Sequence, residues 1–163
     1  MLDRRLKAYG LSAAVFFVDR LTKSIVEAHV SAFDVHRVIP GFFDIVHSQN
    51  RGVAFGLLND SHSPWRTAVL IVFSSAALLL VAGLLWRTAR LDRWTVTGLA
   101  LVLGGAAGNL FDRIMWGRVT DFLEFYIGNW HWPTFNVADS CVVIGSGLLL
   151  LDLLKPRRQP LQT

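Results

Sequence analysis

The sequence predicts an all-α polytopic membrane protein with four transmembrane helices and a small β-rich segment on the outer side of the membrane. Apolar residues make up 53% of the 163-residue chain and charged residues only 17%. The mean hydropathy of +0.44 is higher than a soluble domain of this length requires. The net charge of +4 comes from basic clusters beside apolar runs, which indicates membrane topology rather than nucleic-acid binding.

The first predicted span covers residues 8–30. A basic start followed by an apolar run is typical of a signal peptide, but Asp19 and Lys23 interrupt the run and no small-residue cleavage site follows. We therefore expect a retained transmembrane helix. Asp19, Lys23 and Glu27 are spaced four residues apart, so we expect them to share one helix face and to pair with one another near its outer end.

The outer segment that follows, residues 31–64, is rich in Val, Ile and Phe between positions 36 and 58. Apolar and polar residues alternate partially over residues 43–47, and Pro40 and Gly41 are typical of a turn. We predict short strands that lie on the membrane surface.

Three further spans are predicted at residues 65–86, 94–112 and 137–154. The second span begins and ends at a tryptophan, as expected at the two membrane interfaces. Nine of the sixteen Lys and Arg residues occupy the three short segments that four spans would place on one side, and the positive-inside rule makes that side cytoplasmic. Both termini are then cytoplasmic, residues 31–64 and 113–136 are external, and residues 1–163 form one membrane-embedded domain.

The stretch from residue 104 to residue 139 carries ionisable groups that hydrocarbon normally excludes. Gly104 and Gly108 form a small-xxx-small pair that would let two helix backbones approach closely. Asn109, Asp112 and Arg113 fall on one face where the third helix leaves the membrane. Asp112 and Arg113 could form a structural pair, or the Arg113 guanidinium could hold a substrate carbonyl or a lipid headgroup.

Asp121 and Asp139 are the candidate chemical groups. For Asp139, an alternative is a purely local role as the first-turn acid of a helix that Asn136 caps. If the two carboxylates face each other, they share one proton, and the pair can deprotonate a water while it protonates a scissile carbonyl. This chemistry needs no metal or other cofactor. Ser140 has no histidine at helical spacing, and the five histidines form no ligand pattern.

Five motifs in order along nearly the whole chain resemble the lipoprotein signal peptidase family (signal peptidase II), bacterial intramembrane aspartyl proteases. They are DRLTK at residues 19–23, NRGVAFG at 50–56, GGAAGNLFDR at 104–113, VTDF at 119–122 and FNVAD at 135–139. The resemblance implies that Asp121 and Asp139 are the catalytic dyad. It also implies that eight further motif residues support the site or bind substrate: Asp19, Lys23, Asn50, Gly52, Asn109, Arg113, Asn136 and Ala138. We expect Asp112 to have a structural or orienting role with Arg113.

The resemblance further implies a reaction, a location and partners. The expected reaction is hydrolysis of the signal peptide from a prolipoprotein, on the N-terminal side of a cysteine that carries a diacylglyceryl group. The expected location is the bacterial inner membrane, with the active site at its outer face and residues 50–56 in a sheet-like cradle for the substrate. Membrane lipids and the cyclic peptide inhibitor globomycin are the other expected partners.

Two alternatives belong to other functional classes. A proton-coupled transporter also uses intramembrane acids, but it predicts internal repeats and polar residues through the depth of several helices. A non-catalytic membrane scaffold explains the glycines and the capping residues, but it does not explain a pairing of Asp121 with Asp139. The scaffold remains the better interpretation if these two carboxylates lie far apart.

Overall fold

The computed structural model describes residues 2–52, 64–87 and 91–155, which form four helices and a small antiparallel sheet. In chain order the elements are α1 (Leu2–His29), β1 (Val35–Ile39), β2 (Phe43–Asn50), α2 (Pro64–Trp86), α3 (Arg93–Trp116), β3 (Val119–Ile127), β4 (Trp130–His131) and α4 (Val137–Leu153). Each predicted span therefore coincides with a helix, with changed boundaries.

The largest boundary correction at a functional position concerns α3, which ends four residues later than predicted. Residues 113–116 are helical and do not belong to the outer segment. The helix ends at Gly117, which has a positive φ of 66° and donates its N–H to the Arg113 carbonyl at 3.0 Å. Because glycine adopts this left-handed conformation without steric cost, the end of α3 lies at the glycine rather than at the last charged residue.

Two helices in the described part of the chain are long and apolar enough to cross a membrane, namely residues 67–86 of α2 and all of α3. Most of the α2 surface is not covered by the rest of the protein. Phe73 and Leu79, for example, keep 71% and 70% of their surface exposed. An apolar helix left this bare requires an apolar surrounding such as lipid. The expectation of four spans stays a prediction.

The sheet has the strand order β1-β2-β3-β4, and all neighbours are antiparallel. Residues 40–42 form the turn between β1 and β2, with Gly41 at a φ of 80°. The predicted strands and turn are thus confirmed up to Asn50, whereas residues 53–58 lie outside the described residues. Strand β3, which carries Asp121, was not expected from the sequence of residues 113–136.

Helix α3 packs against all three other helices, and glycines set how closely it approaches two of them. A Cβ on Gly104 would lie 2.5 Å from the Ser12 carbonyl oxygen of α1, and one on Gly105 would lie 2.4 Å from the Ala138 carbonyl oxygen of α4. Both distances are shorter than any side chain tolerates. The predicted close packing through small residues is confirmed, and it brings α1, α3 and α4 together beside the sheet.

Candidate active site

Asp121 lies near the start of β3, where only 2% of its surface is exposed. Asn50 is diagonally opposite on β2 and donates its side-chain N–H to Asp121 Oδ2 at 3.1 Å. The Asn136 side chain donates to Asp121 Oδ1 at 2.7 Å. Each oxygen of this carboxylate therefore accepts a hydrogen bond from an amide, which fixes the orientation of the group.

Asp139 lies in the first turn of α4 and takes part in a capping box. The Asn136 side-chain oxygen accepts from the Asp139 amide at 2.9 Å, and Asp139 Oδ2 accepts from the Asn136 amide at 3.2 Å. The local capping role is thus confirmed. Both capping residues also have contacts outside the cap. Asp139 Oδ1 accepts from the Asn109 side chain at 2.7 Å, and the Asn136 side chain donates to Asp121.

Both carboxylates line one cavity of about 280 Å³. The polar part of its wall is formed by the two aspartates with Asn50, Asn109 and Arg113. The rest of the wall is mostly apolar and comes from residues 132–135, Val119, Ser140, Val142 and Val143. The cavity combines a few oriented polar groups with an apolar surface, as binding sites for largely apolar ligands do.

Electrostatics favour the protonated form of the Asp121 carboxyl. Burial, and then the negative charge of Asp139, raise the pKa of Asp121 to about 6, although the hydrogen bonds from Asn50 and Asn136 act in the opposite direction. Near pH 6 the Asp121 carboxyl can therefore both give up and take a proton.

Lys23 connects the site to α1 from behind the cavity. Its side chain is fully buried, and Nζ donates to Asp19 Oδ2 and to Asn109 Oδ1, each at 2.8 Å. Nζ also forms an ion pair with Asp112 Oδ2 at 2.8 Å. Asp19 in turn accepts from the Ala138 amide at 2.9 Å. The predicted pairing of Asp19 with Lys23 is confirmed. Neither residue lines the cavity, so their contribution is to position Asn109 and the start of α4.

The expectation that Glu27 pairs with Lys23 along α1 was wrong. Glu27 accepts a hydrogen bond from the Thr120 hydroxyl at 2.6 Å and lies 3.9 Å from Arg20. The Lys23 ammonium instead contacts Asp19, Asn109 and Asp112. Glu27 therefore joins α1 to β3 instead of extending the charge series along α1.

Asp112 has other cationic partners than expected. It forms ion pairs with Arg20 at 2.5 Å and with Lys23 at 2.8 Å, and it is 1% exposed. The expected partner Arg113 was therefore wrong, because the Asp112 carboxylate pairs with α1, whereas its structural or orienting role stays a prediction. Sequence reasoning missed Arg20, although it lies inside the first motif. Its guanidinium also stacks on the Trp116 ring at 4.6 Å, a pairing that spacing along one helix does not reveal.

Arg113 instead faces the cavity. Its guanidinium donates to the Asn109 carbonyl at 3.1 Å and to the Gly52 carbonyl at 3.2 Å. The Gly52 amide donates to the Asn50 side-chain oxygen at 2.9 Å, so these contacts hold the end of β2 against α3. Residues 53–56 of the predicted cradle lie outside the described residues. Arg113 Nε has no hydrogen-bond partner in the described part of the chain.

Ser140 also lines the cavity, but its geometry does not suit a nucleophile. Its hydroxyl donates to the Asn136 carbonyl at 3.0 Å, and no histidine is among the described residues that line the cavity. The groups that can move protons here are the two carboxylates.

The family model described as signal peptidase (SPase) II matches residues 11–155. The lipoprotein signal peptidase of Solibacter usitatus is 61% identical over 159 residues, covering 98% of this chain and 97% of the relative. That of Oleidesulfovibrio alaskensis is 39% identical over 155 residues, covering 95% and 99%.

Two solved structures, both described as bacterial membrane enzymes studied by the in meso method, have the same fold. One has a TM-score of 0.83 and 26% identity, and the alignment covers 96% of this chain and 94% of the other. The second has a TM-score of 0.80 and 29% identity, with coverage of 91% and 93%. The helices and sheet described above are therefore similar to those of a membrane-embedded enzyme.

Proposed function

Because the chain belongs to the signal peptidase II family, we propose that it is a lipoprotein signal peptidase in which Asp121 and Asp139 form a catalytic aspartate dyad. The observation that carries this proposal is the shared cavity of the two carboxylates. They come from different elements, β3 and α4, and both are hydrogen-bonded to Asn136. This shared surrounding counts against the scaffold alternative, in which the two residues would have unrelated roles.

The proposed mechanism starts from the singly protonated pair. The ionised carboxylate takes a proton from a water, whose oxygen attacks the scissile carbonyl carbon, while the protonated carboxyl donates its proton to the carbonyl oxygen. The tetrahedral intermediate then returns the hydroxyl proton to the dyad as the carbonyl re-forms. The leaving amide nitrogen receives the other proton, so the C–N bond breaks and the pair regains its starting charge.

The surrounding amides have positioning roles in this mechanism. Asn50 and Asn136 orient Asp121, and Asn109 orients Asp139. Arg113 lies in the cavity wall with its Nε without a partner among the described residues. We assign this guanidinium to a substrate carbonyl, because its planar donors can bind the extended peptide beside the dyad.

The proposed substrate is a prolipoprotein with a diacylglyceryl cysteine, cut on the N-terminal side of that cysteine. Its signal peptide is an apolar segment, which suits the apolar wall of the cavity. The lipid on the cysteine would stay in the bilayer beside the enzyme and set the height of the scissile bond. We place the enzyme in the bacterial inner membrane with both termini in the cytoplasm and the dyad at the outer face. Globomycin is proposed to occupy the dyad.

The transporter alternative is weaker on this structure. The buried acids Asp19, Asp112 and Asp121 gather at one end of the helices, where β3 and α4 begin. A proton pathway across a membrane needs polar groups at successive depths. The described residues of α2 include no acidic side chain at all.

The deciding experiment is cleavage of a diacylated prolipoprotein peptide by purified protein in detergent. We expect Asp121→Asn and Asp139→Asn each to lower kcat/KM by about 10²–10⁴-fold, because each removes a titrating group while the size of the side chain stays similar. Asp44→Asn is the matched control, since Asp44 is a buried aspartate of β2 that does not line the cavity. Cleavage by either dyad variant at the rate of the control would disprove the mechanism.

A further inference from the structure

A second cavity lies between α1 and α3, at the opposite end of these helices from the aspartates. Its volume is about 220 Å³. The two helices run parallel, since Ser12 contacts Ala100 and Lys23 contacts Asn109 further along both. Each helix contributes one stripe at i, i+3, i+4 and i+7 spacing to the wall: Arg4, Lys7, Ala8 and Leu11 from α1, and Arg93, Val96, Thr97 and Ala100 from α3.

The wall has a cationic rim and an apolar floor. Arg4, Lys7 and Arg93 begin the two stripes, and no described residue of the wall is acidic. Asp92 precedes Arg93, but its carboxylate accepts from the Trp94 amide at 3.2 Å and lies 3.4 Å from Lys155. Deeper in the cavity, Ala8, Val96 and Ala100 are buried members of the core between the helices.

We propose that this cavity binds one anionic phospholipid. The three cations of the rim hold the phosphate, and an acyl chain lies against the apolar floor between α1 and α3. Phosphate and cations are complementary in charge, and basic pockets between transmembrane helices bind such headgroups. The site is remote from the dyad and does not depend on the proposed peptidase activity. Under the proposed orientation, the lipid comes from the cytoplasmic leaflet.

The test measures lipid binding and stability of the full chain, without reference to cleavage. Purified protein is given phosphatidylglycerol or phosphatidylcholine with the same acyl chains, and bound lipid is counted by native mass spectrometry alongside Tm. We expect one tightly retained phosphatidylglycerol and a higher Tm than with phosphatidylcholine. Arg4→Gln should weaken phosphatidylglycerol binding about fivefold, which corresponds to one basic side chain near a membrane surface.

Two further variants separate this site from general attraction of anionic lipid. Arg87→Gln removes the same charge from an exposed position after α2, outside the cavity, and should leave binding within about twofold of wild type. Thr97→Phe keeps every charge but fills the cavity from an exposed position, and should abolish the retained lipid.

Three results would overturn the proposal. Equal losses in Arg4→Gln and Arg87→Gln would mean diffuse attraction to the whole basic surface. Wild-type binding in Thr97→Phe would mean that the lipid lies outside the cavity. A rise in Tm with inorganic phosphate as large as with phosphatidylglycerol would mean a site for a free anion rather than for a lipid.

Discussion

The Asp121 carboxyl is placed where its charge is unfavourable, and this makes its titration a test of the dyad. With a pKa of about 6 in the folded protein against 3.8 in an unfolded chain, Asp121 keeps its proton in the fold over a pH range where the unfolded chain has lost it. Its contribution to stability is therefore present at low pH and is lost as the pH rises through about 6.

The same pKa gives a prediction for catalysis. We expect kcat/KM to fall on the alkaline side with an apparent pKa near 6, because the free enzyme then loses the proton that the pair shares. Asn50→Ala removes a hydrogen bond that stabilises the ionised form, so this alkaline limb should move to higher pH. The measurement is the pH profile of peptide cleavage for each variant.

Gln49→Ala is the control for that profile, because Gln49 is the neighbouring amide on β2 and is exposed outside the active-site cavity. The control should keep the limb of the wild type. A limb that stays in place in Asn50→Ala, or that moves to lower pH, would contradict the assignment of the titrating group to Asp121.

Loss of Lys23 should destabilise the fold strongly. Lys23→Met leaves Asp19 without a cation in a buried setting, and removing one partner of a buried ion pair costs about 3–5 kcal/mol. Adding Asp19→Asn should recover part of this loss, since the amide oxygen can still accept from the Ala138 amide. Thermal unfolding of the single and double variants in the same detergent measures the recovery.

Lys155→Met is the surface control for that series. Lys155 pairs with Asp92 and Asp152 while 48% of its side-chain surface stays exposed, so solvent screens its loss and only a small change in Tm is expected. If Lys23→Met unfolds no earlier than this control, the buried lysine does not hold α1 against α3.

At the residue scale, sequence could predict which side chains matter better than how they pair. The spacing of Asp19 and Lys23 was sufficient to predict their ion pair, since both lie on one helix. The partners of Asp112 and Glu27 come from different elements, and spacing within one helix carries no information about them. Arg20 was missed for the same reason.

At the scale of the elements, four glycines of α3 limit where α1 and α4 can lie, namely Gly98, Gly104, Gly105 and Gly108. Gly105 is the position most sensitive to an added side chain, because a Cβ there would lie 2.4 Å from the carbonyl oxygen of Ala138. Ala138 directly precedes Asp139. We expect Gly105→Ala to destabilise the protein by about 1–3 kcal/mol and to lower cleavage, since the overlap displaces the first turn of α4. Thermal unfolding and peptide cleavage measure the two effects.

Gly147→Ala is the matched control on α4, where an added Cβ would meet no atom within 4 Å. In a helix interior, alanine is preferred to glycine by about 0.5–1 kcal/mol, so this variant should be neutral or slightly more stable. Equal stability of the Gly105 and Gly147 variants would mean that the close contact between α3 and α4 is not required.

The elements themselves were predictable to different degrees. Long apolar periodic segments marked all four helices, and a turn with glycine marked β1 and β2. No sequence pattern predicted strand β3, because its residues Thr120 and Asp121 are polar and yet are buried by contacts with β2, α1 and α4. Those contacts form only in the folded protein, so local alternation gives no signal there.

At the scale of the whole molecule, mean hydropathy understates how apolar the outside of α1 is. Asp19 and Lys23 lower the average for this helix, but both side chains are fully buried against α3 and α4. The opposite surface presents Phe17 and Leu21, which are 67% and 61% exposed. Polar groups that face the protein and apolar groups that face outward are the arrangement expected of a helix in lipid.

The orientation of the whole molecule leads to the last prediction. In a variant whose only cysteine, Cys141, is replaced by alanine, a single cysteine is placed at Ser31 after α1 or at Arg87 after α2, both exposed positions. A membrane-impermeant maleimide should label the Ser31 site in intact spheroplasts, and the Arg87 site only after permeabilisation, because basic segments stay on the cytoplasmic side. The cysteine-free parent gives the background, and cleavage activity shows that each variant is folded. Labelling of the Arg87 site alone in intact spheroplasts would mean that the topology is the reverse of the one proposed. The dyad would then face the cytoplasm, where a signal peptide that crosses outward could not present its cleavage site.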